Sequence, residues 1–136
     1  MKKIILLLVA TTFLSCSLDD NNKDNYQYDV LAVKSYVLPD TLTLGKTYKI
    51  ELKYQKPTIC YMFQGIYYAK ELNKRVIGIQ TAVNLNQECS PTLPPLSEVS
   101  FDFIPTEKGS YIFKFYKGKD DKEEAVFEEV EIPVAK

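Results

Sequence analysis

The strictest pattern in the sequence is an alternation of apolar and polar residues over positions 48–55. Tyr48, Ile50, Leu52 and Tyr54 alternate with Lys49, Glu51, Lys53 and Gln55. Because successive side chains of a β-strand point to opposite faces, this segment predicts a strand with one face in a core and the other in water. A half-buried strand is not stable alone, so the rest of the chain has to supply its partners.

Other short segments have the same strand character, at a spacing of roughly ten residues. They are rich in β-branched and aromatic residues, and Pro, Gly or charged stretches separate them. The predicted strands, besides 48–55, cover 30–38, 59–68, 76–85, 99–103, 111–116 and 126–134. No segment of ten residues has a hydrophobic pattern with a helical period. Short strands without helices predict an all-β fold, a sandwich or a small barrel.

Residues 1–16 constrain where the protein resides. Two lysines precede an apolar run over 4–14, and Ser15 and Cys16 follow it. A basic start, a short apolar middle and a small residue before the break are the parts of a secretory signal. The run rises only about 16 Å as a helix, about half the hydrocarbon thickness, so it is not predicted to span a membrane.

The segment Phe13-Leu14-Ser15-Cys16 resembles the lipobox of bacterial lipoproteins. In that family, signal cleavage leaves a lipid-bearing cysteine at the new N-terminus. The resemblance implies that residues 1–15 are a signal peptide and that Cys16 attaches the protein to a membrane through lipid. Ser17, rather than Asp, follows the cysteine, which in the family favours the outer membrane.

Residues 16–27 are predicted to be the lipidated cysteine and a polar tether, and residues 28–136 the folded domain. The tether is acidic and has no period, so it cannot bury enough surface to fold. Its acidic pair, Asp19-Asp20, resembles the export tag of lipoproteins that some bacteria display on the cell surface. A tether that is polar merely because it is solvated is the alternative. We therefore expect an outer-membrane location and leave its facing open.

Charge and composition argue against several function classes. Without Lys2 and Lys3 the mature chain has 15 basic and 18 acidic residues, a net charge of −3, whereas nucleic-acid binding favours a basic surface. The chain has no histidine to serve as the base of a catalytic triad. Glu98 and Asp102 are interpreted as solvent-facing strand residues, and 119–124 as a solvated hairpin tip rather than a calcium site. We expect no enzyme activity, no metal and no cofactor.

Cys60 and Cys89 are the two cysteines of the predicted domain. Unpaired thiols are uncommon beyond the inner membrane, which favours a disulfide. The midpoint between them lies in the polar stretch 69–75, so both cysteines are expected near the open end of one hairpin. A redox or metal pair is the alternative, but it would favour closer spacing or histidine partners.

The segment 107–113 reads EKGSYIF and resembles the D-x-G-x-Y-x-C signature of immunoglobulin-like domains. Glu107 stands for the acid, Gly109 for the glycine and Tyr111 for the corner tyrosine, while Phe113 replaces the cysteine. In that family the tyrosine hydroxyl bonds to the backbone just upstream. The resemblance implies an immunoglobulin-like antiparallel β-sandwich of about seven strands. It implies no activity, because one fold hosts many functions.

One sheet face is predicted to be a binding surface. If the bulky rows Tyr61/Phe63 and Tyr111/Phe113/Phe115 face the core, alternation places a second row on the outer face of the same sheet. That row consists of Met62, Ile66, Tyr68, Ile112, Tyr116 and Phe127. Tyr and Met are enriched at interfaces. The alternatives are scattered surface aromatics, or a one-residue bulge that turns half of the row into the core.

The sequence therefore predicts a non-catalytic, lipid-anchored binding or accessory module at the bacterial outer membrane, with a protein or glycan partner. A structural or chaperone-like subunit of an envelope assembly is the alternative. An enzyme comes third. No motif names a ligand.

Overall fold

The computed structural model describes residues 24–136, and these residues form eight β-strands. The strands are β1 (Tyr26–Leu31), β2 (Val33–Val37), β3 (Tyr48–Tyr54), β4 (Met62–Glu71), β5 (Lys74–Asn84), β6 (Ser97–Phe103), β7 (Ser110–Lys119) and β8 (Ala125–Pro133). The predicted all-β class is confirmed. The predicted signal peptide, Cys16 and most of the predicted tether lie outside the described residues, whereas Tyr26 and Gln27, predicted to belong to the tether, lie in β1.

The strands form two sheets that pack into a sandwich. In the five-stranded sheet β4 pairs along one side of β5, whereas β1 and β7 share its other side. β5 accommodates two partners end to end because it is 11 residues long. β8 pairs with β7, and β7 runs parallel to β5, so this sheet is mixed rather than wholly antiparallel as the sequence predicted. The three-stranded sheet has the order β2-β3-β6 and is antiparallel.

The core lies between the sheets and is built by alternation along the strands. The predicted inward row of β7, Tyr111, Phe113 and Phe115, is buried. Phe103 of the opposite sheet meets Tyr111 and Phe113 edge-on, with ring centroids 5.0 and 5.1 Å apart, an arrangement that aromatic quadrupoles favour. The other buried members of the core are Leu31, Val33, Leu42, Ile50, Leu52, Tyr54, Ile77, Ile79, Ile132 and Val134.

The predicted strand 30–38 is two strands that belong to different sheets. β1 pairs with β5, and β2 pairs with β3. Leu31 and Val33, on either side of Ala32, are both buried, so the chain crosses between the sheets without a turn residue. Strand propensity is continuous across the crossing, and for this reason the sequence pattern did not reveal the break.

Tyr111 occupies the corner position that the sequence predicted. Its hydroxyl accepts the backbone N–H groups of Thr106 and Glu107, both at 2.9 Å. Gly109 has a φ of 103°, which disfavours residues with a side chain. Burial by itself would raise the pKa of Tyr111, but the hydrogen bond with the Thr106 side chain, those from the backbone N–H groups of Glu107 and Thr106, and the guanidinium of Arg75 together outweigh it and lower the pKa.

The predicted disulfide between Cys60 and Cys89 is present, with a Cα–Cα distance of 6.1 Å. This distance lies within the range that a disulfide spans. Cys60 precedes β4 and Cys89 follows β5, so the bond closes the open end of that hairpin, as the spacing of the two cysteines predicts.

A bulge in β7 supplies a partner for the inward-facing Glu128 of β8. The β7–β8 register shifts between Tyr116 and Gly118, which frees Lys117 from the ladder. Lys117 Nζ then lies 3.1 Å from the Glu128 carboxylate, to which the Tyr36 hydroxyl also donates a hydrogen bond of 3.0 Å. The hydrogen bond from Lys117, followed by that from Tyr36, lowers the pKa of Glu128.

Candidate functional site

The outer face of the five-stranded sheet carries a groove with a volume of about 810 Å³. Every strand of that sheet contributes to its lining. Such a volume lies within the range of about 300–1,000 Å³ typical of small-molecule sites. The residues that shape the groove are Tyr28, Val30, Tyr67, Gly78, Tyr116 and Phe127.

Gly78 of β5 lies in the floor of the groove. A Cβ atom built on it would lie 2.7 Å from Cγ1 of Val30, and 3.6 and 3.8 Å from the Cβ atoms of Tyr116 and Tyr67. Any side chain at this position would therefore displace Val30. The absence of a side chain on Gly78 thus leaves room for Val30 of β1, beside Tyr67 of β4 and Tyr116 of β7.

Aromatic side chains form the walls of the groove. The exposed fractions of Tyr28, Tyr67 and Phe127 are 74%, 43% and 37%. Tyr116 is half-buried, and its ring centroid lies 5.8 Å from that of Phe127. Aromatic residues of four strands thus line one groove, and such a gathering of exposed apolar surface marks an interaction site.

A bulge in β4 determines which of its side chains reach the groove. The β4–β5 register shifts between Phe63 and Gly65. Phe63, before the shift, points toward the smaller sheet, with its ring centroid 6.4 Å from that of Tyr54. Because one extra residue inverts the alternation that follows, Tyr67 faces outward and lines the groove.

The same bulge overturns part of the predicted binding face. Ile66 and Tyr68 were expected on the outer face, but Ile66 packs against the core and Tyr68 meets Phe101 of the smaller sheet with ring centroids 5.5 Å apart. Their placement was wrong because the prediction carried an unbroken period of two through β4. The register leaves four of the predicted residues on the outer face: Met62, Ile112, Tyr116 and Phe127. Of these four, Tyr116 and Phe127 line the groove.

Sequence reasoning missed most of the groove. Tyr28 lies at the predicted domain boundary, and unbroken alternation from the inward row Tyr61/Phe63 places Tyr67 on the inner face. A signal for the floor of the groove was Gly78, since a glycine inside a strand often marks a close approach of another group. Its significance depends on Val30, which is 48 positions away in the sequence and reaches Gly78 only through the pairing of β1 with β5.

The lysines at the groove have carboxylate partners within the protein. Lys114 Nζ lies 3.6 Å from the Glu129 carboxylate and 5.1 Å from the ring centroid of Phe127. Lys119 Nζ lies 3.1 Å from the Glu123 carboxylate, and this hydrogen bond raises the pKa of Lys119. Exposed pairs of this kind contribute little stability, but they leave the groove without a strong field of either sign.

Neutral polar groups at the groove remain available to a ligand. The amides of Gln64 and Gln80 line the groove, as do the tyrosines at positions 28, 67 and 116. Within residues 24–136 these amides and hydroxyls make no hydrogen bond to another side chain or to the backbone. Each of these groups both donates and accepts hydrogen bonds, so the groove presents polar contacts without net charge.

Comparisons with protein-family models, curated proteins and solved structures find no significant match to this chain. Within residues 24–136, no helix has the length and apolarity that crossing a membrane requires. The chemistry of the groove itself therefore carries the functional argument.

A second cavity, of about 490 Å³, is lined in part by Arg75. Arg75 is buried, and its Nη1 donates to the carbonyl oxygens of Leu72 and Lys74, both at 2.8 Å. Its guanidinium carbon lies 4.9 and 5.9 Å from the ring centroids of Tyr111 and Phe103. These contacts offset part of the desolvation of the charge, while Nε of Arg75 is buried without a hydrogen-bond partner among the described residues. They also hold the β4–β5 turn against the corner tyrosine, so we assign Arg75 a structural role.

Several of the acidic groups considered as catalytic or calcium-binding residues, Glu98 and Asp120 among them, have partners within the protein. Glu98 forms an ion pair with Lys53 at 2.7 Å. Asp120 Oδ1 accepts the backbone N–H groups of Lys122 and Glu124 at 2.8 and 3.0 Å, which organises the hairpin tip. No cluster of three or more Cys, Asp or Glu side chains in the described part of the chain could hold a metal ion.

Proposed function

We propose that the protein is a non-catalytic binding module, held at the bacterial outer membrane by lipid on Cys16, and that the groove is its binding face. The observation that supports the proposal is the set of aromatic residues from four strands that line the groove. A small domain that gathers exposed apolar surface into one concave site has a typical ligand-binding surface. Binding alone accounts for this arrangement, since none of it depends on a nucleophile or a metal.

The lipid anchor is proposed from residues 13–16 and the polar stretch that follows them. More than one acyl chain on the N-terminal cysteine gives stable attachment to a membrane. Cys16→Ala should therefore release the protein into the soluble fraction, whereas the control Ser17→Ala should stay with the membranes. If the Cys16→Ala protein still sediments with membranes after a carbonate wash, the anchor is wrong.

An NMR titration tests the groove as a binding face. The mature chain carrying Cys16→Ala is titrated separately with polysaccharide and peptide fractions of the bacterial cell envelope. At least one fraction should shift the amide signals around Gly78 in a saturable way, and Tyr28→Ala should weaken the effect. Leu93→Ala removes an exposed apolar side chain outside the groove and should leave binding unchanged. If no fraction shifts the groove signals, the proposed function is wrong.

One observation favours the second candidate, a structural or chaperone-like subunit of an envelope assembly. β4 pairs with β5, and its other side has no strand partner among residues 24–136. A free edge of this kind accepts an incoming strand through backbone hydrogen bonds. Size-exclusion chromatography of a native membrane extract separates the two candidates. A stoichiometric protein complex that survives Tyr28→Ala would favour the structural subunit.

A further inference from the structure

We infer that the groove binds a neutral oligosaccharide. This inference rests on the proposed function and specifies the ligand class. The charges, the aromatic rings and the polar groups of the groove each favour such a ligand, and the backbone of its floor disfavours an extended peptide.

The charges at the groove argue against an anionic ligand. The lining contains two acidic residues, Asp29 and Glu71, and two basic residues, Lys114 and Lys119. Both lysines already pair with carboxylates of the protein. A phosphate or an acidic polysaccharide would thus meet no unpaired cation of the lining, and it would approach a mature chain of net charge −3.

The aromatic rings provide surfaces on which sugars stack. A pyranose ring presents a face of C–H groups that packs on an aromatic ring, while its hydroxyl groups project from the edges. Tyr28, Tyr67 and Phe127 are exposed, and they come from three different strands. Rings distributed across a sheet face suit a chain of sugar units better than one small compact molecule, since each ring offers a separate stacking position.

The neutral polar groups argue against a purely apolar ligand. The amides of Gln64 and Gln80 line the groove and have no partner among the described residues. An acyl chain would cover these amides without replacing their hydrogen bonds to water, which costs free energy. Sugar hydroxyl groups donate and accept hydrogen bonds, so they replace the displaced water.

The backbone of the groove floor argues against an extended peptide. β5 pairs with β4 on one side and with β1 and β7 on the other, so its N–H and C=O groups are largely engaged in the sheet. Peptides that are recognised in an extended form usually add to a free sheet edge through backbone hydrogen bonds. The centre of the sheet face offers side chains instead.

The experiment extends the NMR titration to probes of defined charge. The neutral probes are maltohexaose, cellohexaose, mannohexaose and the envelope polysaccharide that passes an anion-exchange column. The acidic probes are hexagalacturonate and the polysaccharide that the column retains. We expect saturable shifts around Gly78 with at least one neutral probe. Tyr28→Ala and Tyr67→Ala should each weaken binding by about tenfold or more, and Leu93→Ala should not.

Gln80→Leu distinguishes a sugar from an apolar ligand, because it removes the amide and keeps a side chain of similar size. This change should weaken the binding of a sugar and strengthen the binding of an apolar ligand. Thermal unfolding of each variant verifies that the fold is retained. If only acidic or peptide probes shift the groove signals, the ligand class is wrong and the proposed function stands. If neutral probes bind elsewhere on the domain, or if no probe binds, the inference is overturned.

Discussion

Replacing Tyr111 by Phe would remove one buried oxygen and leave the ring in place. That oxygen accepts the N–H groups of Thr106 and Glu107, both at 2.9 Å. Two hydrogen bonds at about 1 kcal/mol each give about 2 kcal/mol. Thr106 and Glu107 are exposed residues, so water reaches the freed N–H groups and the expected loss falls to about 1.5 kcal/mol. The ring contacts with Phe103 and Arg75 should persist in the variant.

Thermal unfolding by circular dichroism measures this loss. An unfolding entropy of about 2.1 cal/mol/K per residue, summed over residues 24–136, converts about 1.5 kcal/mol into a melting temperature lower by about 6 °C. Two other tyrosine-to-phenylalanine variants serve as controls, because each removes a hydroxyl that accepts fewer hydrogen bonds. Tyr48→Phe removes a hydroxyl that accepts one N–H, that of Thr43 at 2.9 Å. Tyr54→Phe removes the hydroxyl of a buried ring that has no hydrogen bond to a described residue.

The expected order of destabilisation is Tyr111→Phe, then Tyr48→Phe, then Tyr54→Phe. Urea unfolding should show the same order with an unchanged m-value, because none of the changes alters the surface exposed on unfolding. If Tyr111→Phe lowers the melting temperature no more than Tyr54→Phe does, the corner hydrogen bonds do not stabilise the domain and the reasoning is refuted.

Three other predictions test further contacts. Replacing Cys60 and Cys89 together by Ala should lower the free energy of unfolding by about 3.5 kcal/mol. The reason is that the cross-link over a separation of 29 residues no longer restricts the unfolded chain. A loss below about 1 kcal/mol, measured by urea unfolding, would contradict this entropic account. Gly78→Ala should destabilise by about 1 kcal/mol, because its Cβ would lie 2.7 Å from Cγ1 of Val30. Val30→Ala in the same chain should recover part of that loss, and strictly additive effects would argue against the contact. The lowered pKa of Glu128 means that its contribution is complete above its ordinary value of 4.5 and disappears as the pH falls through the lower native value. Glu128→Gln should therefore destabilise at pH 7 and not at pH 2, and an equal loss at both pH values would refute the assignment.

The sequence by itself determined the properties that depend on short-range chemistry. The alternation over 48–55 predicts β3 because the period of two is a local property of an extended chain. The corner at Tyr111 follows from residues that are close in the sequence. The disulfide follows from two cysteines placed symmetrically about one hairpin, in a chain whose N-terminal residues predict export.

The face on which each side chain of a strand lies was predicted less accurately, because the prediction requires an unbroken alternation along the strand. A single bulge between Phe63 and Gly65 reverses the face on which every later side chain of β4 lies. The alternation before the bulge gives no indication of it. Tyr67 therefore lines the groove, whereas Ile66 and Tyr68 face the smaller sheet. Gly65 was the available hint, since glycine in a strand often accompanies a bulge.

The groove was decided by the tertiary structure alone. It requires β1 and β7 to share one side of β5, a pairing that joins segments far apart in the sequence, one of them in a parallel arrangement. It also requires Gly78 to lie where Val30, Tyr67 and Tyr116 converge. Side-chain alternation predicts that a residue faces outward, but its neighbours on the outer face depend on strand order and register. Those are set by how the whole core packs, and no local pattern encodes them.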